Sequence, residues 1–506
     1  MFGSLALTAI LAGSGLSAQL RGNNVWAGHS GDPQHTGVSF MASQDIVKKH
    51  WSTPVDLVPR YSGNSLLTHY GVPIITRGNI LITPVKQTLT DGFKVRAFNA
   101  FNGEPVWTAD TDYSLPPSSW LPSMSPTLLS QRSNVFDPGV AFQAGGGRVS
   151  FRAAHAKTAT VTTRAFYGDA IYNANAANMR SNVKICTPLT ACPDGSVLFG
   201  YIVLGTNAAN LSSGVARVKA DGTGSWVSAA TLSGDSAVAQ VKTNCAPAIT
   251  ADGSSFYITV HTANFGRGIL VRANLSNYAV TGRVALKDPK TGNDAAIDSS
   301  GTASPTIGTD GDVYIGVLEN PFPHNGYRGW LLHFNKDLTV QKTSGAFGWD
   351  DTPSLVPSFM VPDYTGGSPY LLFVKYNNYA VGGGQGLNRL AVIDPQNAEI
   401  DARSGQMTMK VIRSILNPTS DHEYSGTYPS AVREWCVNSA VVDVQKQSIL
   451  VTGEDGILYR WSLPTNKFSQ SLQLTPGIGE AYTPTAVAAD GTIIAIANAV
   501  LYAVGK

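Results

Sequence analysis

Cys186-Thr187-Pro188-Leu189-Thr190, then Asp194-Gly195, then Val197-Leu198-Phe199-Gly200-Tyr201-Ile202-Val203-Leu204 reads as a short strand, a tight turn and a second strand. Gly214-Val215-Ala216-Arg217-Val218 and Trp226-Val227-Ser228-Ala229-Ala230 supply a third and a fourth. Apolar, β-branched runs bounded by turn residues mark strands, and Asp-Gly provides the positive φ that a tight hairpin needs. The same joint returns at Asp252-Gly253 and Asp310-Gly311, each 58 residues after the last, and again at Asp490-Gly491. Asp455-Gly456 reads as another hairpin, between the second and third strands of its unit.

Outward from this unit, an x-x-Pro triplet, once with asparagine in third place, opens eight strand-like runs. They are Gly71-Val72-Pro73, Met124-Ser125-Pro126, Cys186-Thr187-Pro188, Cys245-Ala246-Pro247, Ala303-Ser304-Pro305, Leu355-Val356-Pro357, Cys436-Val437-Asn438 and Tyr482-Thr483-Pro484. The spacings are 53, 62, 59, 58, 52, 81 and 46 residues. Four short antiparallel strands recurring at such a period describe propeller blades. The reading is all-β: an eight-bladed β-propeller over 46–506, with seven blades as the alternative if one triplet is accidental. The second unit lacks Asp-Gly, and the sixth is long enough to carry insertions. The last unit stops one strand short. His50-Trp51-Ser52-Thr53-Pro54-Val55 is available to complete it, which would close the ring and remove its open edges.

Gly 51 and Pro 28 with only 14% charged residues fit many turns and few helical surfaces. Lys plus Arg is 36 against 34 Asp plus Glu, and no basic tract stands out, so nucleic acid is not an expected partner. The apolar stretch from Met1 to Leu11, followed by small residues to Ala18, reads as a signal peptide over 1–18. No Lys or Arg precedes it, and Leu11-Ala12-Gly13-Ser14 has serine where a lipid anchor would need cysteine. A periplasmic or secreted protein is expected, with no integral membrane segment, and with 19–45 as a lead-in to the propeller.

Ala97-Phe98-Asn99-Ala100-Phe101-Asn102-Gly103-Glu104-Pro105-Val106-Trp107 resembles the repeat signature of the quinoprotein-like, PQQ-like repeat propellers of secreted bacterial type. Weaker echoes are Leu390-Ala391-Val392-Ile393-Asp394-Pro395 and Tyr459-Arg460-Trp461-Ser462-Leu463-Pro464-Thr465. Trp26-Ala27-Gly28-His29-Ser30-Gly31-Asp32-Pro33-Gln34-His35-Thr36-Gly37 is similar to the lead-in of many such propellers. The resemblance implies a turn glycine and a tryptophan docked between blades. For enzymes of that class it also implies a quinone held on a cation, beside a disulfide of adjacent cysteines. This chain has neither a Cys-Cys pair nor C-x-x-C-H. PQQ and calcium therefore enter only with the alternative function, and no metal site is expected.

Cys186, Cys245 and Cys436 each open a triplet, so the repeat places them on innermost strands. In an exported protein neighbouring cysteines are expected to pair, with Cys192 competing for Cys186 across the hairpin. Buried free thiols are the alternative. A three-thiolate metal site is the sharper one, but the spacing matches no zinc motif.

Loops between blades, and loops joining second to third strands, project from one face. Ser420-Asp421-His422-Glu423-Tyr424 through Arg433-Glu434-Trp435 is the densest charged and aromatic stretch. Asn320 through His324, Tyr327 and Arg328 crosses the next blade, and Tyr376 through Tyr379 with Gly382–Gly386 tops another. The ligand-face candidates are accordingly Asp421, His422, Glu423, Arg433, Glu434, His324, Tyr327 and Arg328. Asp421-His422-Glu423 suits acid-base work or cation binding, but consecutive side chains alternate, so at most two converge. The plain alternative is a solvated loop with Arg433 and Glu434 in surface ion pairs. The glycine run reads as a flexible loop, and His29 and His35 as flanking the Asp32-Pro33 turn. No G-x-S-x-G nucleophile motif appears. The expected function is an exported, monomeric binding scaffold for a protein, peptide or glycan. A PQQ- and calcium-dependent oxidoreductase is the alternative.

Overall fold

The structure, a computed structural model, describes residues 26–63, 65–122, 124–129, 138–477 and 484–506. The expected signal segment, Tyr482 and Thr483 lie outside them. Eight antiparallel sheets follow one another along the chain, at 74–114, 127–165, 183–228, 240–285, 306–334, 354–416, 441–473 and 485–505. In the first, Ile74–Ile75, Ile80–Lys86, Asp91–Asn99 and Pro105–Ser114 pair in chain order from the axis outward. The eighth is completed by Lys48–Pro54, which runs antiparallel to Val500–Gly505 with Lys48 opposite Gly505 and Pro54 opposite Val500. The molecule is thus a closed eight-bladed propeller. Three short α-helices, Asp169–Ala174, Ala176–Asn182 and Ala229–Ser233, interrupt the described strands, and none is long and apolar enough to cross a membrane.

The Asp-Gly joints are turns for a visible reason. Gly195, Gly253, Gly311 and Gly491 all have φ between 68° and 88°. The aspartate before each accepts the backbone N–H two residues on, at 2.9–3.1 Å. The 97–107 motif also does what its residues suggest. The Trp107 indole donates to the Ala154 carbonyl of the next blade at 2.6 Å, and Gly103 leaves room for Trp51 of the closing strand.

The lead-in is a collar, not a tail. It circles one end of the channel and pairs with one innermost strand after another. The N–H groups of Leu128, Ile249, Ile307, Leu355 and Val442 donate to Ala27, Pro33, Gln34, Thr36 and Gly37 carbonyls at 2.8–3.0 Å, and Trp26 exchanges two bonds with Ile75. Inner strands would otherwise present open edges to the channel. Gly37 turns the collar at φ 68°, where a Cβ would overlap Ser354.

This ring of bonds corrects the repeat register. Ile75, Leu128, Ile249 and Ile307 each lie two residues beyond the triplet proline, whereas Leu355 lies two beyond Pro353 and Val442 two beyond Ala440. The sixth and seventh triplets are therefore Asp351-Thr352-Pro353 and Asn438-Ser439-Ala440. Cys436 consequently falls two residues out of register with Cys186 and Cys245. In the third blade the inner strand is also split, into Val183–Ile185 and Thr190–Ala191, because Pro188 lacks an N–H for the ladder.

Candidate functional site

Blades five, six and seven each send one of the predicted loops to the same sector of the mouth, and backbone bonds, side-chain bonds and close packing pin them together. Val432 donates to the Gly386 carbonyl at 2.9 Å, and the Asn388 side chain donates to Val432 at 2.8 Å. The Trp435 backbone N–H bonds the Asn377 side-chain oxygen at 3.3 Å, and the Asn377 amide returns a bond to the Trp435 carbonyl at 3.1 Å. Arg403 donates to the Gly382 carbonyl at 2.6 Å and to Asn378 at 3.0 Å. Gly382 packs so closely on Gly326 of the blade-five loop that a Cβ would overlap its carbonyl. The glycine run is therefore a packed turn held by its neighbours, not the free loop its composition implies.

Between these loops lies a cleft of about 270 Å³. Tyr327, Trp349, Tyr379 and Tyr424 are its aromatic walls, with Val381 at the rim; Asp421, Glu423, Glu434 and Glu454 are its carboxylates. Trp349 and Tyr379 meet edge to face at 5.9 Å and form a corner. Arg433 Nη1 lies 3.1 Å from Glu423, 3.4 Å from Glu454 and 3.6 Å from Asp421. Against the desolvation it suffers, Glu454, Glu423 and Asp421 raise the guanidinium's pKa. Partial burial, then the charges of Glu434, Glu423, Asp421 and Glu454, push the Tyr424 hydroxyl up.

Five of the eight sequence candidates thus meet here: Asp421, Glu423, Glu434 and Tyr327 line the cleft, and Arg433 bridges its carboxylates. The other three do not. His422 is solvent-exposed beside the cleft. His324 bonds Asp288 at 2.7 Å, where the Trp330 indole also donates at 3.0 Å. Arg328 is buried in a fork on Asp401, at 2.6 and 3.2 Å, so it positions the loop carrying Tyr327 without facing solvent. Sequence reasoning missed Trp349 and Glu454. Glu454 was within reach, because it precedes the Asp455-Gly456 turn on the same face. Trp349 lies in the blade five-to-six connection, which carried no signal.

Beside the cleft the channel is filled by charge. Lys242 is buried and donates to the Gly301 carbonyl at 2.6 Å. Asp350 accepts from the Thr302 N–H and hydroxyl and lies 3.9 Å from the buried Lys375 ammonium. Burial pushes the Asp351 carboxyl up to about 8; one oxygen accepts the Lys375 N–H at 3.1 Å, and the other has no hydrogen-bond partner. His29 and His35, edge to face at 4.9 Å, floor the channel, and burial holds the His35 imidazole down to about 4. In the turn that these histidines flank, the Asp32 side chain takes the Gln34 N–H at 2.9 Å and the Thr36 N–H at 3.2 Å, and the His35 N–H bonds the Asp32 carbonyl at 3.1 Å. The His35 ring bonds the Pro305 carbonyl at 2.7 Å. A second cavity of about 270 Å³, lined by Ser118, Ser119, Thr243, His261, Asn264 and Ser299 among others, opens across the mouth.

The expected disulfides are not formed: Cys186, Cys192, Cys245 and Cys436 are all buried thiols outside any disulfide. Cys436 is out of register with the other two inner cysteines, and burial, with Cys245 nearby, raises the Cys186 thiol. Among the described residues no three His, Cys, Asp or Glu side chains converge as a metal-ligating set.

No protein family's sequence model matches the chain, and no curated protein matches it. Solved structures are similar in fold. A europium-containing methanol dehydrogenase aligns with TM-score 0.56 and 9% identity, over 95% of this chain and 90% of its own. The quinohemoprotein alcohol dehydrogenase of Comamonas testosteroni aligns with TM-score 0.53 and 12% identity, over 98% and 85%. A quinohemoprotein alcohol dehydrogenase of Pseudomonas putida aligns with TM-score 0.52 and 12% identity, over 99% and 78%. What the chain shares with these dehydrogenases is the β-propeller fold. At such identities the likeness carries the scaffold alone, and one scaffold hosts many functions.

Proposed function

We propose that the protein is an exported propeller that binds a ligand on its loop face, in the cleft between blades five, six and seven. The carrying observation is that three loops from three consecutive blades are held against one another, by the Val432–Gly386 backbone bond, the Asn377 and Asn388 amides and the close packing of Gly382 on Gly326, around an open, aromatic-walled space. Pre-organised concave sites with a few convergent polar groups are where ligands bind, because little ordering entropy is lost on association. A polypeptide or glycan segment projecting one group into the cleft fits its size. Export belongs to the same proposal and rests on the apolar N-terminal stretch.

The residues do not fit the alternative. A quinone on its cation needs converging carboxylate and amide oxygens along the channel. Here Asp350 is engaged by Thr302, Asp351 accepts the Lys375 backbone N–H, and Lys242 and Lys375 are ammonium groups buried among them.

The test is a screen of peptide and glycan arrays with wild type and with Tyr424→Ala, followed by calorimetry on the hits. Native mass spectrometry with PQQ plus Ca²⁺ runs in parallel. Hits lost in the variant support the reading. Hits indifferent to Tyr424→Ala, or a stoichiometric quinone and cation, would refute it.

A further inference from the structure

We infer that the ligand is a neutral glycan chain, which lies in the cleft and reaches over an aromatic ridge into the second cavity of the mouth. This rests on the proposed binding role of the cleft and names its ligand class.

The second cavity is the first ground. Blades three and four, with the connections from blade one to two and from four to five, enclose about 270 Å³. The hydroxyls of Ser118, Ser119 and Ser299, the amides of Gln240 and Asn264 and the His261 imidazole line it. Among the described residues lining it, none is an aspartate, glutamate, lysine or arginine. Burial lowers the His261 pKa, so at neutral pH that ring is uncharged too. Hydroxyls and amides both donate and accept. An ionic ligand meets no counter-charge in this cavity, whereas a sugar hydroxyl, itself donor and acceptor, finds partners of both kinds.

The ridge is the second ground, and it is independent of the polar lining. Phe265 follows Asn264 in the chain and meets Phe322 edge to face at 6.0 Å. Tyr327, a wall of the cleft, stacks on Phe322 at 6.0 Å. Phe265 is 54% exposed and Phe322 40%. Exposed apolar rings gathered on a polar rim mark a place that a ligand covers. Cavity and cleft also share a carboxylate: Asp298 accepts the Trp349 indole N–H at 3.1 Å with one oxygen and the Ser300 N–H at 2.8 Å with the other. Cavity, ridge and cleft thus form one strip.

Along that strip the chemistry runs from uncharged polar groups through aromatic rings to rings with carboxylates. A pyranose has an apolar C–H face and a hydroxylated rim, so one repeating unit suits every part. A peptide would need an apolar segment over the ridge and uncharged polar segments beyond it. The cleft carboxylates can accept sugar hydroxyls even while they hold Arg433, since a carboxylate has about four acceptor sites. They also disfavour an acidic glycan.

The experiment uses the full-length protein and defined probes. Cello-, malto-, laminari- and N-acetylchito-oligosaccharides, each as disaccharide and hexasaccharide, are titrated by calorimetry and tryptophan fluorescence. Hexagalacturonate is the acidic arm, and an acetylated, amidated hexapeptide of alternating phenylalanine and serine is the peptide arm. At least one neutral hexasaccharide should bind, about tenfold or more tighter than its disaccharide, and salt should leave it unchanged. Phe322→Ala, Gln240→Ala and Tyr424→Ala should each weaken it about threefold to tenfold. The first two should not move the thermal midpoint, because both side chains are exposed. A hexasaccharide that depends on Tyr424 but on neither Phe322 nor Gln240 would confine the ligand to the cleft and overturn the strip, while the binding role stands. Hexagalacturonate binding tighter than every neutral glycan overturns the neutral assignment. If the peptide alone binds, in a Tyr424-dependent way, the glycan fails while the binding role stands. If no probe binds, or none depends on Tyr424, both fall.

Discussion

Arg328→Met is the substitution whose consequence follows most directly from the geometry. Arg328 and Asp401 are both buried, forked together at 2.6 and 3.2 Å, and link the blade-five loop to the edge of blade six. Although desolvation raises it, the Arg328 hydrogen bond and charge hold the Asp401 carboxyl down to about 2, from 3.8. A depressed carboxylate pKa contributes stability that is full above the unfolded value and lost as pH falls toward the folded one. A shift of this size corresponds to about 2–3 kcal/mol. Breaking a buried pair costs roughly 3–5 kcal/mol. Asp401 keeps the Ser404 N–H and hydroxyl, both at 2.7 Å, and the Tyr376 hydroxyl at 3.2 Å. The loss should therefore sit near the lower end, about 3 kcal/mol at pH 7. Without the guanidinium, burial acts on Asp401 against the Ser404 bonds and its pKa rises from the wild-type value, so the variant loses less stability on acidification than the wild type does. Urea unfolding by tryptophan fluorescence, run from pH 7 to pH 3, should show the two curves converging. A gap that stays constant over that range would mean that Arg328 contributes packing and not charge, and would refute the reasoning. Arg328→Met with Asp401→Leu should recover most of the loss, because replacing both members of a buried pair leaves no stranded charge.

Three further outcomes are expected. Gly37→Ala puts a Cβ into Ser354 at a positive φ, and should cost about 2–4 kcal/mol; hydrogen exchange should show lost protection at Leu355 and Val442, and unchanged protection there would sink the collar. Asp351→Asn should raise the thermal midpoint more at pH 8 than at pH 5, since a carboxyl pushed up to about 8 costs stability progressively as pH rises above its unfolded value of 3.8; equal effects at both would contradict this. Iodoacetamide without reductant should label none of the four cysteines in the native protein and all four after unfolding, because all four are buried and burial raises the Cys186, Cys245 and Cys192 thiols, the last to about 12; an intact mass two hydrogens light would show a disulfide instead.

The blades and their closure were legible because their signals are local. Asp-Gly turns need only their own φ and one Asx bond, and 50–55 paired with the last strand because a sheet edge needs a partner. The register of the sixth and seventh units was not legible, because it is set at long range. Pro357 imitates the triplet, but the collar bonds identify Pro353. The cleft was half legible. Chain order brought three loops from neighbouring blades to one sector, yet no local pattern says that Arg328 turns inward to Asp401 or that Trp349 turns toward the cleft.

Ala440 shows why the triplet proline is useful but dispensable. A residue at that position has its N–H beyond the end of the inner strand, so proline is suited to it, having no donor there to satisfy. Where the chain has alanine, the N–H faces the Ser354 hydroxyl of the preceding blade at 3.4 Å, and that hydroxyl in turn lies 3.0 Å from the Ala440 carbonyl. A neighbouring side chain thus does locally what proline does by omission. What defines the repeat is the position's bond geometry toward the channel, two residues before the collar contact, and not the residue type that occupies it. Ser354→Val should therefore destabilise the wild type more than a variant carrying Ala440→Pro, by the roughly 1–3 kcal/mol of a stranded buried amide. Equal losses in the two backgrounds, measured by urea midpoints, would show that the Ser354 hydroxyl does not substitute for proline.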